Sequence, residues 1–286
     1  MKRLIVVMSV LGLIATACNG GGNTSATRPT NLPRSDPNAV LKASPASSPT
    51  HRPTPKPSPI PTSPSPKPSP TKPRGLPASL VGTEWTVLPT SKKVVALTFD
   101  AGANDAEVAS ILATLAAQGV PATFFLTGRW AELYLDEARD IASRYPVGNH
   151  TYDHPYLTQL SDDAVRTEIS KAGTAIESAT GHDCRPLFRF PFGDSNARVI
   201  GIANSLGYGG IRWTVDTLGW KGTSDGESVD DVVARVVAGL QPGEIVLMHV
   251  GSNPDDGSTL DADALPRIIE ALRARGYGFV TLDQYV

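Results

Sequence analysis

Three of the five histidines in this chain follow short apolar runs, where their side chains could do chemistry. His150 and His154 stand four residues apart in NHTYDHP, and His249 follows the apolar residues of EIVLMHV. Imidazoles at this spacing can share one cation on one side of a helical turn, although a structural pair held by backbone hydrogen bonds fits equally well. His249 is either a buried core residue or an acid/base group that titrates near neutral pH.

Charged residues stand at the ends of three other apolar runs. Asp100 closes the strand pattern of LTFDAG, Arg189 lies in FRFPFG and Asp216 in WTVDTLGW. A lone acid after a strand is more often a helix cap or turn residue than a catalyst. In combination, however, a carboxylate raises the pKa of a neighbouring imidazole, and an arginine lowers that of a neighbouring carboxylate. Together these residues predict an acid/base site around a metal.

The segments that carry these residues alternate between strand and helix patterns. Seven apolar, β-branched runs predict strands: VVALTFDA, ATFFLTG, PVGNHT, PLFRFPF, YGGIRWTVD, EIVLMHV and YGFVTL. Asn104 with Glu107 resembles a capping box that opens the first helix. Strands that are apolar throughout are typical of parallel strands buried on both faces, and in such folds the chemistry gathers at their carboxyl ends. We therefore predict an α/β fold, either a barrel or a doubly wound sheet.

The first 79 residues predict export rather than a folded domain. Two basic residues, an apolar run and small residues indicate a signal peptide over residues 1–17. The sequence ATAC resembles a bacterial lipoprotein signal in which Cys18 is acylated, which would anchor the protein to the membrane. Ala15 departs from that signal, and simple cleavage with secretion is the alternative. Residues 18–79 are rich in Pro, Ser, Thr and Lys and predict a disordered, polyproline-like spacer before a folded domain over residues 80–286.

Charge limits the possible binding partners, and the number of cysteines limits the possible disulfides. The spacer holds eight Lys or Arg against one acid, Asp36, whereas the whole chain has a formal charge of −2. The folded part is therefore strongly acidic, which argues against nucleic acid as a partner. The only other cysteine beside Cys18 is Cys184, so no disulfide is expected, and we expect Cys184 to be a packed residue.

Five segments resemble, in order, the motifs of the polysaccharide deacetylases of carbohydrate esterase family 4, the NodB-homology domain. The family pattern TFDDG, H-[ST]-x-x-H-P, R-x-P-Y, D-x-x-D-W and L-x-H is similar to TFDAG, HTYDHP, RFPF, DTLGW and LMH here, within about residues 93–286. The resemblance implies a distorted (β/α) barrel with about seven parallel strands. It also implies a metal-dependent hydrolase that removes N-acetyl groups from a polysaccharide. We expect a monomer.

The resemblance implies a role for each catalytic residue. Asp100 matches the general base, and Arg189 matches the residue that tethers it. His249 matches the general acid that protonates the leaving amine, and Asp216 matches the carboxylate that tunes this histidine. An amide needs such an acid because an unprotonated amine anion is a very poor leaving group.

The resemblance also implies how metal and substrate are held. His150 and His154 match ligands of a divalent metal ion, which we expect to be Zn²⁺. Phe192 stands where the family has Tyr, whose backbone N–H stabilises the oxyanion, and a backbone donor survives this change of side chain. Trp220 and Leu247 match the walls of the small apolar pocket that takes the acetyl methyl group.

Two positions depart from the family pattern. Ala101 replaces the second aspartate of TFDD, which in the family completes the protein ligands of the metal, and Gly219 replaces the second aspartate of D-x-x-D-W. Metal affinity should fall unless water or Asp100 fills the place. The alternatives to an active N-deacetylase are an O-acetyl polysaccharide esterase and an inactive glycan-binding domain of the same fold. From the predicted export we expect peptidoglycan as substrate, with a chitin-like polysaccharide as the alternative.

Overall fold

The structure, a computed structural model, describes residues 76–286, and in this part of the chain strands and helices alternate. The strands are β1 (Glu84–Trp85), β2 (Val94–Ala101), β3 (Thr123–Leu126), β4 (Val147–Asn149), β5 (Leu187–Phe188), β6 (Gly209–Ile211), β7 (Val215–Asp216), β8 (Glu244–His249) and β9 (Gly278–Phe279). The helices are α1 (Val108–Gln118), α2 (Gly128–Leu133), α3 (Leu135–Ala142), α4 (Asp162–Thr180), α5 (Ala197–Ser205), α6 (Val229–Ala238) and α7 (Leu260–Ala274).

These strands form one sheet in which neighbouring strands run parallel. Their order is β1-β6-β5-β4-β3-β2-β8-β7, and β9 pairs with the start of β2. The central strands β2 and β3 are buried almost throughout, as their apolar sequences predict. The expected parallel α/β fold with a distorted barrel is confirmed, with nine strands in place of about seven.

The run YGGIRWTVD forms two strands, not one, because it crosses between the two ends of the sheet. β6 pairs with β1 and β5, whereas β7 pairs with β8. Between them, the N–H of Arg212 donates to the carbonyl of Trp85, and the N–H of Thr214 donates to that of Ile245. The two ends of the sheet therefore approach each other at this crossing, which gives the sheet its barrel-like curl.

The predicted capping box at the start of α1 is wrong. No side chain caps α1, which begins at Val108. The Oδ1 atom of Asn104 instead accepts hydrogen bonds from the N–H groups of Ala106 and Ser252. The carboxyl group of Glu107 is buried and accepts a hydrogen bond from the N–H of Ala262, in the first turn of α7. Both side chains thus join the loop after β2 to the region after β8.

The predicted signal peptide and nearly all of the predicted spacer lie outside the described residues. Leu80 is fully buried in an apolar cluster with Trp85 and Ile211. Cys184 is also buried, as a free thiol whose Sγ lies 3.4 Å from the hydroxyl of Tyr208. Among residues 76–286, no helix is both long and apolar enough to cross a membrane.

Candidate active site

The carboxyl ends of the strands open into a cleft of about 520 Å³. The neighbouring strands β2 and β8 bring Asp100 and His249 side by side, since these two residues are partners in the strand register. Eight of the nine site residues expected from the sequence line the cleft: Asp100, His150, His154, Phe192, Asp216, Trp220, Leu247 and His249. The ninth, Arg189, lies behind Asp100.

Asp100 and Arg189 form a buried ion pair. Arg189 is fully buried, and its Nη1 lies 2.6 Å from Oδ1 of Asp100, while its Nη2 donates to the hydroxyl of Thr98 at 2.9 Å. The guanidinium also lies 4.2 Å from the ring centre of Phe125. Burial alone would raise the pKa of Asp100, but the charge of Arg189, followed by that of His150, holds this pKa below its ordinary value. Asp100 is therefore an ionised carboxylate.

The two histidines of HTYDHP turn their Nε2 atoms toward each other. Nδ1 of His150 donates to the carbonyl of Arg189 at 2.9 Å, which leaves Nε2 with a lone pair in the neutral ring. Nε2 of His154 lies 3.1 Å from Nε2 of His150. Oδ2 of Asp100 lies 3.3 Å from the same Nε2 of His150. Burial lowers the pKa of both histidines, that of His154 to about 3. Either a proton on His154 or a shared cation satisfies the facing nitrogen atoms.

His249 stands on the other side of Asp100, next to a carboxylate that sequence analysis missed. The carboxylate is Asp261, whose Oδ2 accepts the backbone N–H of His249 at 2.9 Å and lies 3.6 Å from Nδ1 of its ring. Burial lowers the pKa of His249, but the carboxylates of Asp261, Asp100 and Asp216 outweigh it, so the pKa lies above its ordinary value. His249 can therefore carry a proton near neutral pH.

Asp216, which the sequence predicts as the tuning carboxylate, lines the cleft at the end of β7. Its Oδ1 accepts the N–H of Leu218 at 2.9 Å. In residues 76–286, no hydrogen bond or ion pair joins Asp216 to His249, and its influence on that ring is through space alone. The direct neighbour of the ring is Asp261. An acid in the first turn of a helix is commonplace, so the sequence offered no signal for this role.

The loops that shape the cleft are strained. Four residues other than glycine have φ in the left-handed region in the described chain, and all four belong to loops that follow strands β4, β5 or β7: Thr151 (66°), His154 (60°), Phe192 (58°) and Leu218 (60°). For residues other than glycine this conformation is uncommon and costs about 1 kcal/mol each. Such strain clusters where side chains or backbone groups must be aimed for function.

Aromatic side chains form the rim of the cleft. Phe192 stacks on Tyr156 with ring centres 4.1 Å apart, and its edge meets the ring of His154 at 4.5 Å. Trp220 stands next to His249, with ring centres 6.5 Å apart. These three aromatic residues are about half exposed, whereas Leu247 is buried at the base of the same wall. The cleft therefore combines polar groups at its floor with apolar surfaces that can hold a ring and a methyl group.

The donor set fits a divalent cation only in part. His150 and His154 point imidazole nitrogen atoms at one place, at a separation typical of two ligands about 2 Å from a shared ion. In the described residues, no three His, Cys, Asp or Glu side chains make a complete ligand set. Ala101 is fully buried and supplies no donor atom, and Asp100 is already bound to Arg189. The residues fit two-histidine binding with Asp100 as the adjacent anion.

Comparison with known proteins identifies a family that this chain matches. Residues 88–211 match the family model of polysaccharide deacetylases. Over 196 residues the chain is 35% identical to a peptidoglycan-N-acetylglucosamine deacetylase of Bacillus cereus, and the match covers 68% of each protein. It is similar to the crystal structure of the Bc1960 peptidoglycan N-acetylglucosamine deacetylase, with 33% identity, a TM-score of 0.64 and coverage of 70% of this chain and 90% of that one.

The chain is also similar to a CE4 family pseudoenzyme from Bacillus anthracis. The identity is 35%, the TM-score 0.61, and the match covers 68% of this chain and 65% of that one. A mutant of that pseudoenzyme has restored enzymatic activity. Together, the parallel sheet, the residues around its cleft and these relatives show that the chain belongs to the polysaccharide deacetylase family.

Proposed function

We propose that this chain is a metal-dependent N-deacetylase of a cell-wall glycan, acting on N-acetylglucosamine or N-acetylmuramic acid of peptidoglycan. One observation carries the proposal: an ionised carboxylate, Asp100, and a protonatable imidazole, His249, face one cleft from neighbouring strands. A base and an acid so placed can act on the two sides of one amide bond. The Bacillus cereus relative and the Bc1960 structure, both peptidoglycan N-acetylglucosamine deacetylases, support the substrate class.

In the proposed reaction, Asp100 is the general base. Arg189 holds Oδ1, so Oδ2 is the oxygen atom on the side of His150. As water attacks the acetyl carbon, a C–O bond forms and the water proton passes to Asp100. His150 and His154 would hold a divalent cation, whose chemistry when bound is to polarise the amide carbonyl and acidify water.

His249 is the general acid of the same reaction. The carboxylates around it favour its protonated form, and it lies one strand away from Asp100. When the C–N bond breaks, His249 gives its proton to the nitrogen atom, which leaves as the sugar amine while acetate takes the water oxygen. Once the proton on Asp100 has been released and His249 has been reprotonated, the reaction has consumed one amide and one water and has yielded one protonated amine and one acetate.

The rim of the cleft supports a sugar substrate. Phe192 and Tyr156 form one exposed stacked pair, and Trp220 stands exposed by His249. Flat aromatic faces can pack against the apolar faces of sugar rings. The backbone N–H of Phe192 is proposed as an oxyanion donor, and Leu247 with Trp220 as the contact for the acetyl methyl group.

The wild type and two variants, Asp100→Ala and Ala101→Asp, test the proposal. Metal content is measured by elemental analysis, and acetate and free amine are measured on N-acetylglucosamine oligomers and on peptidoglycan. We expect bound metal and amine release from the wild type, and loss of amine release in Asp100→Ala. Circular dichroism checks that this variant is folded, because it leaves Arg189 buried without its anion. Asp136→Asn, which removes an exposed carboxylate on α3, serves as the matched control. A wild type that is metal-free and inert, with both properties restored in Ala101→Asp, would refute an active enzyme.

A catalytically inactive glycan-binding domain is the second candidate. The observation that favours it is Ala101, because a buried methyl group stands where the family has a metal-binding carboxylate. The likeness to the Bacillus anthracis pseudoenzyme shows that inactive members exist in this family. Binding of glycan oligomers with no release of acetate by any metal-loaded wild type would establish it. An O-acetyl esterase would release acetate without a new amine.

We further propose that the protein is exported, anchored at the cell surface through acylated Cys18, and monomeric. The apolar run before ATAC and the Pro-rich spacer support this location. Metabolic labelling with a radioactive fatty acid should mark the wild type and spare Cys18→Ser. Labelling of neither protein would refute the anchor, and sedimentation analysis of residues 76–286 tests the monomer.

A further inference from the structure

Asp261 occupies an unusual place for an acid in the first turn of a helix. Its side chain is 2% exposed, although most such acids face solvent. Oδ1 accepts the hydroxyl of Thr217 at 2.6 Å, and Oδ2 accepts the backbone N–H of His249 at 2.9 Å. Two hydrogen bonds and the start of α7 therefore hold a carboxylate behind the proposed acid, where the helix dipole favours its negative charge.

The same carboxylate fills the space beside Gly219. A Cβ atom at position 219 would lie 2.5 Å from Oδ1 and 2.7 Å from Cγ of Asp261. Contacts this short are prohibitive, so a side chain at 219 and Asp261 in its present place exclude each other. Position 219 is also where the motif D-x-x-D-W has its second aspartate. Compared with that motif, the chain therefore lacks a carboxylate in the turn after β7 and holds one from α7 in the same volume.

Asp261 is the one carboxylate within ion-pair distance of the His249 ring in residues 76–286. Nδ1 of His249 is buried and has no hydrogen-bond partner in the described chain, and it lies 3.6 Å from Oδ2 of Asp261. A small rotation of the ring would close this gap to a hydrogen bond. Catalytic hydrogen bonds are often long in the absence of substrate.

The acidic groups around this pair come from four elements, and His150 and His154 face His249 from the loop after β4. Asp216 faces it from β7, Asp100 from β2 and Glu107 from the residue before α1, while Asp263 lies on the same helix as Asp261. Asp216 is bonded to Leu218 N, and Glu107 is bonded to Ala262 N. Of these acids, only Asp261 makes a side-chain hydrogen bond or ion pair with His249 in residues 76–286.

We propose that Asp261 is the positioning residue for His249, and that it replaces from α7 the carboxylate that Gly219 removed from the turn after β7. It fixes the ring so that Nδ1 points inward and the other nitrogen atom can meet the leaving amine. Asp261 touches neither substrate nor metal, so its effect is transmitted entirely by His249. This inference rests on the proposed deacetylase function, with His249 as its acid.

The direct test is the titration of His249 by NMR in the metal-free protein, which does not depend on activity. Asp261→Asn keeps the shape but removes the charge, so the pKa of His249 should fall. Asp263→Asn, exposed on the same turn, is the matched control and should leave the titration nearly unchanged. In the active protein, kcat of Asp261→Asn should fall by about 10-fold or more with little change in KM. The alkaline limb of its pH profile should also move to lower pH.

The second test moves the carboxylate from position 261 to position 219. Gly219→Asp alone should destabilise the fold, because its side chain meets Asp261. Gly219→Asp combined with Asp261→Ala should refold normally and recover both the His249 titration and most of kcat. If Asp261→Asn does not fold, this double variant decides the matter.

Two results would overturn the proposal: an unchanged His249 titration in Asp261→Asn, or a folded double variant that recovers neither property. An inert wild type whose His249 titration still responds to Asp261→Asn would refute the deacetylase function while leaving the Asp261–His249 coupling in place.

Discussion

Replacement of Glu107 by Gln should stabilise the protein, and the gain should grow with pH. Glu107 is only 2% exposed, and its Oε2 accepts the N–H of Ala262 at 3.1 Å. Burial, followed by the carboxylate of Asp261, raises its pKa from an ordinary 4.5 to about 9. At neutral pH, folding therefore requires this carboxyl group to take up a proton.

The direction and magnitude of this change in the free energy of unfolding follow from proton linkage. A carboxyl group whose pKa rises on folding gives its full stability below the unfolded pKa near 4.5, and loses it as pH rises towards about 9. Each pH unit in this window costs about 1.4 kcal/mol, so the wild type loses about 3 kcal/mol between pH 4.5 and 7. Glutamine has no such proton, and its amide oxygen can keep the hydrogen bond from Ala262.

Urea unfolding of wild type and Glu107→Gln at pH 4, 5, 6, 7 and 8 measures this difference. The two proteins should be equally stable near pH 4, and the variant should be more stable by up to about 3 kcal/mol near pH 7. Glu177→Gln, an exposed change on α4, is the matched control and should show no such trend. A difference that stays flat across this range would refute the raised pKa of Glu107.

Three further predictions test the site and its scaffold. Arg189→Met leaves Asp100 buried without its cation, so we expect a loss of about 3–5 kcal/mol in urea unfolding; its activity should also need a higher pH, because the pKa of Asp100 rises. Gly128→Ala places a Cβ 2.5 Å from Tyr152 and 2.9 Å from the backbone of Ala172, which should lower the free energy of unfolding by about 1–3 kcal/mol. Its control is Gly201→Ala on α5, where the new Cβ has open space. This change should raise the free energy of unfolding by up to about 1 kcal/mol. Burial raises the pKa of Cys184 to about 11, so a thiol reagent at pH 8 should label it only after unfolding; rapid labelling of the folded protein would contradict this burial.

The fold and most of the cleft can be predicted from the sequence, because both follow from the apolar character and the parallel direction of the strands. Apolar runs indicate parallel strands, and the carboxyl ends of such strands share one edge. The structure places Asp100 and His249 on adjacent strands of this edge, a pairing that the sequence patterns do not specify. The prediction of a single strand for YGGIRWTVD is wrong, because a local sequence pattern does not specify which neighbour a strand pairs with. β6 and β7 have partners at opposite ends of the sheet.

Features that depend on tertiary contacts could not be predicted. Asn104 and Glu107 have capping-box spacing, but both side chains bond to the segment after β8, more than 140 residues away along the chain. In the sequence, Asp261 is an ordinary acid in the first turn of a helix, and only the fold shows its contact with His249. The left-handed φ of His154 and Phe192 has no sequence signal, because residues other than glycine rarely adopt it.

Several groups that cost folding free energy lie around the cleft, and their position bears on whether the cleft is catalytically active. A buried ion pair such as Asp100–Arg189 seldom stabilises a protein more than apolar residues of similar volume would. The left-handed residues, the facing imidazoles and the buried Asp261 add further cost, and all lie at the same edge of the sheet. A domain that only bound glycan could rely on its aromatic rim and would not need these charges beneath it. The arrangement therefore favours chemistry at this edge, where Ala101 is buried and supplies no donor atom.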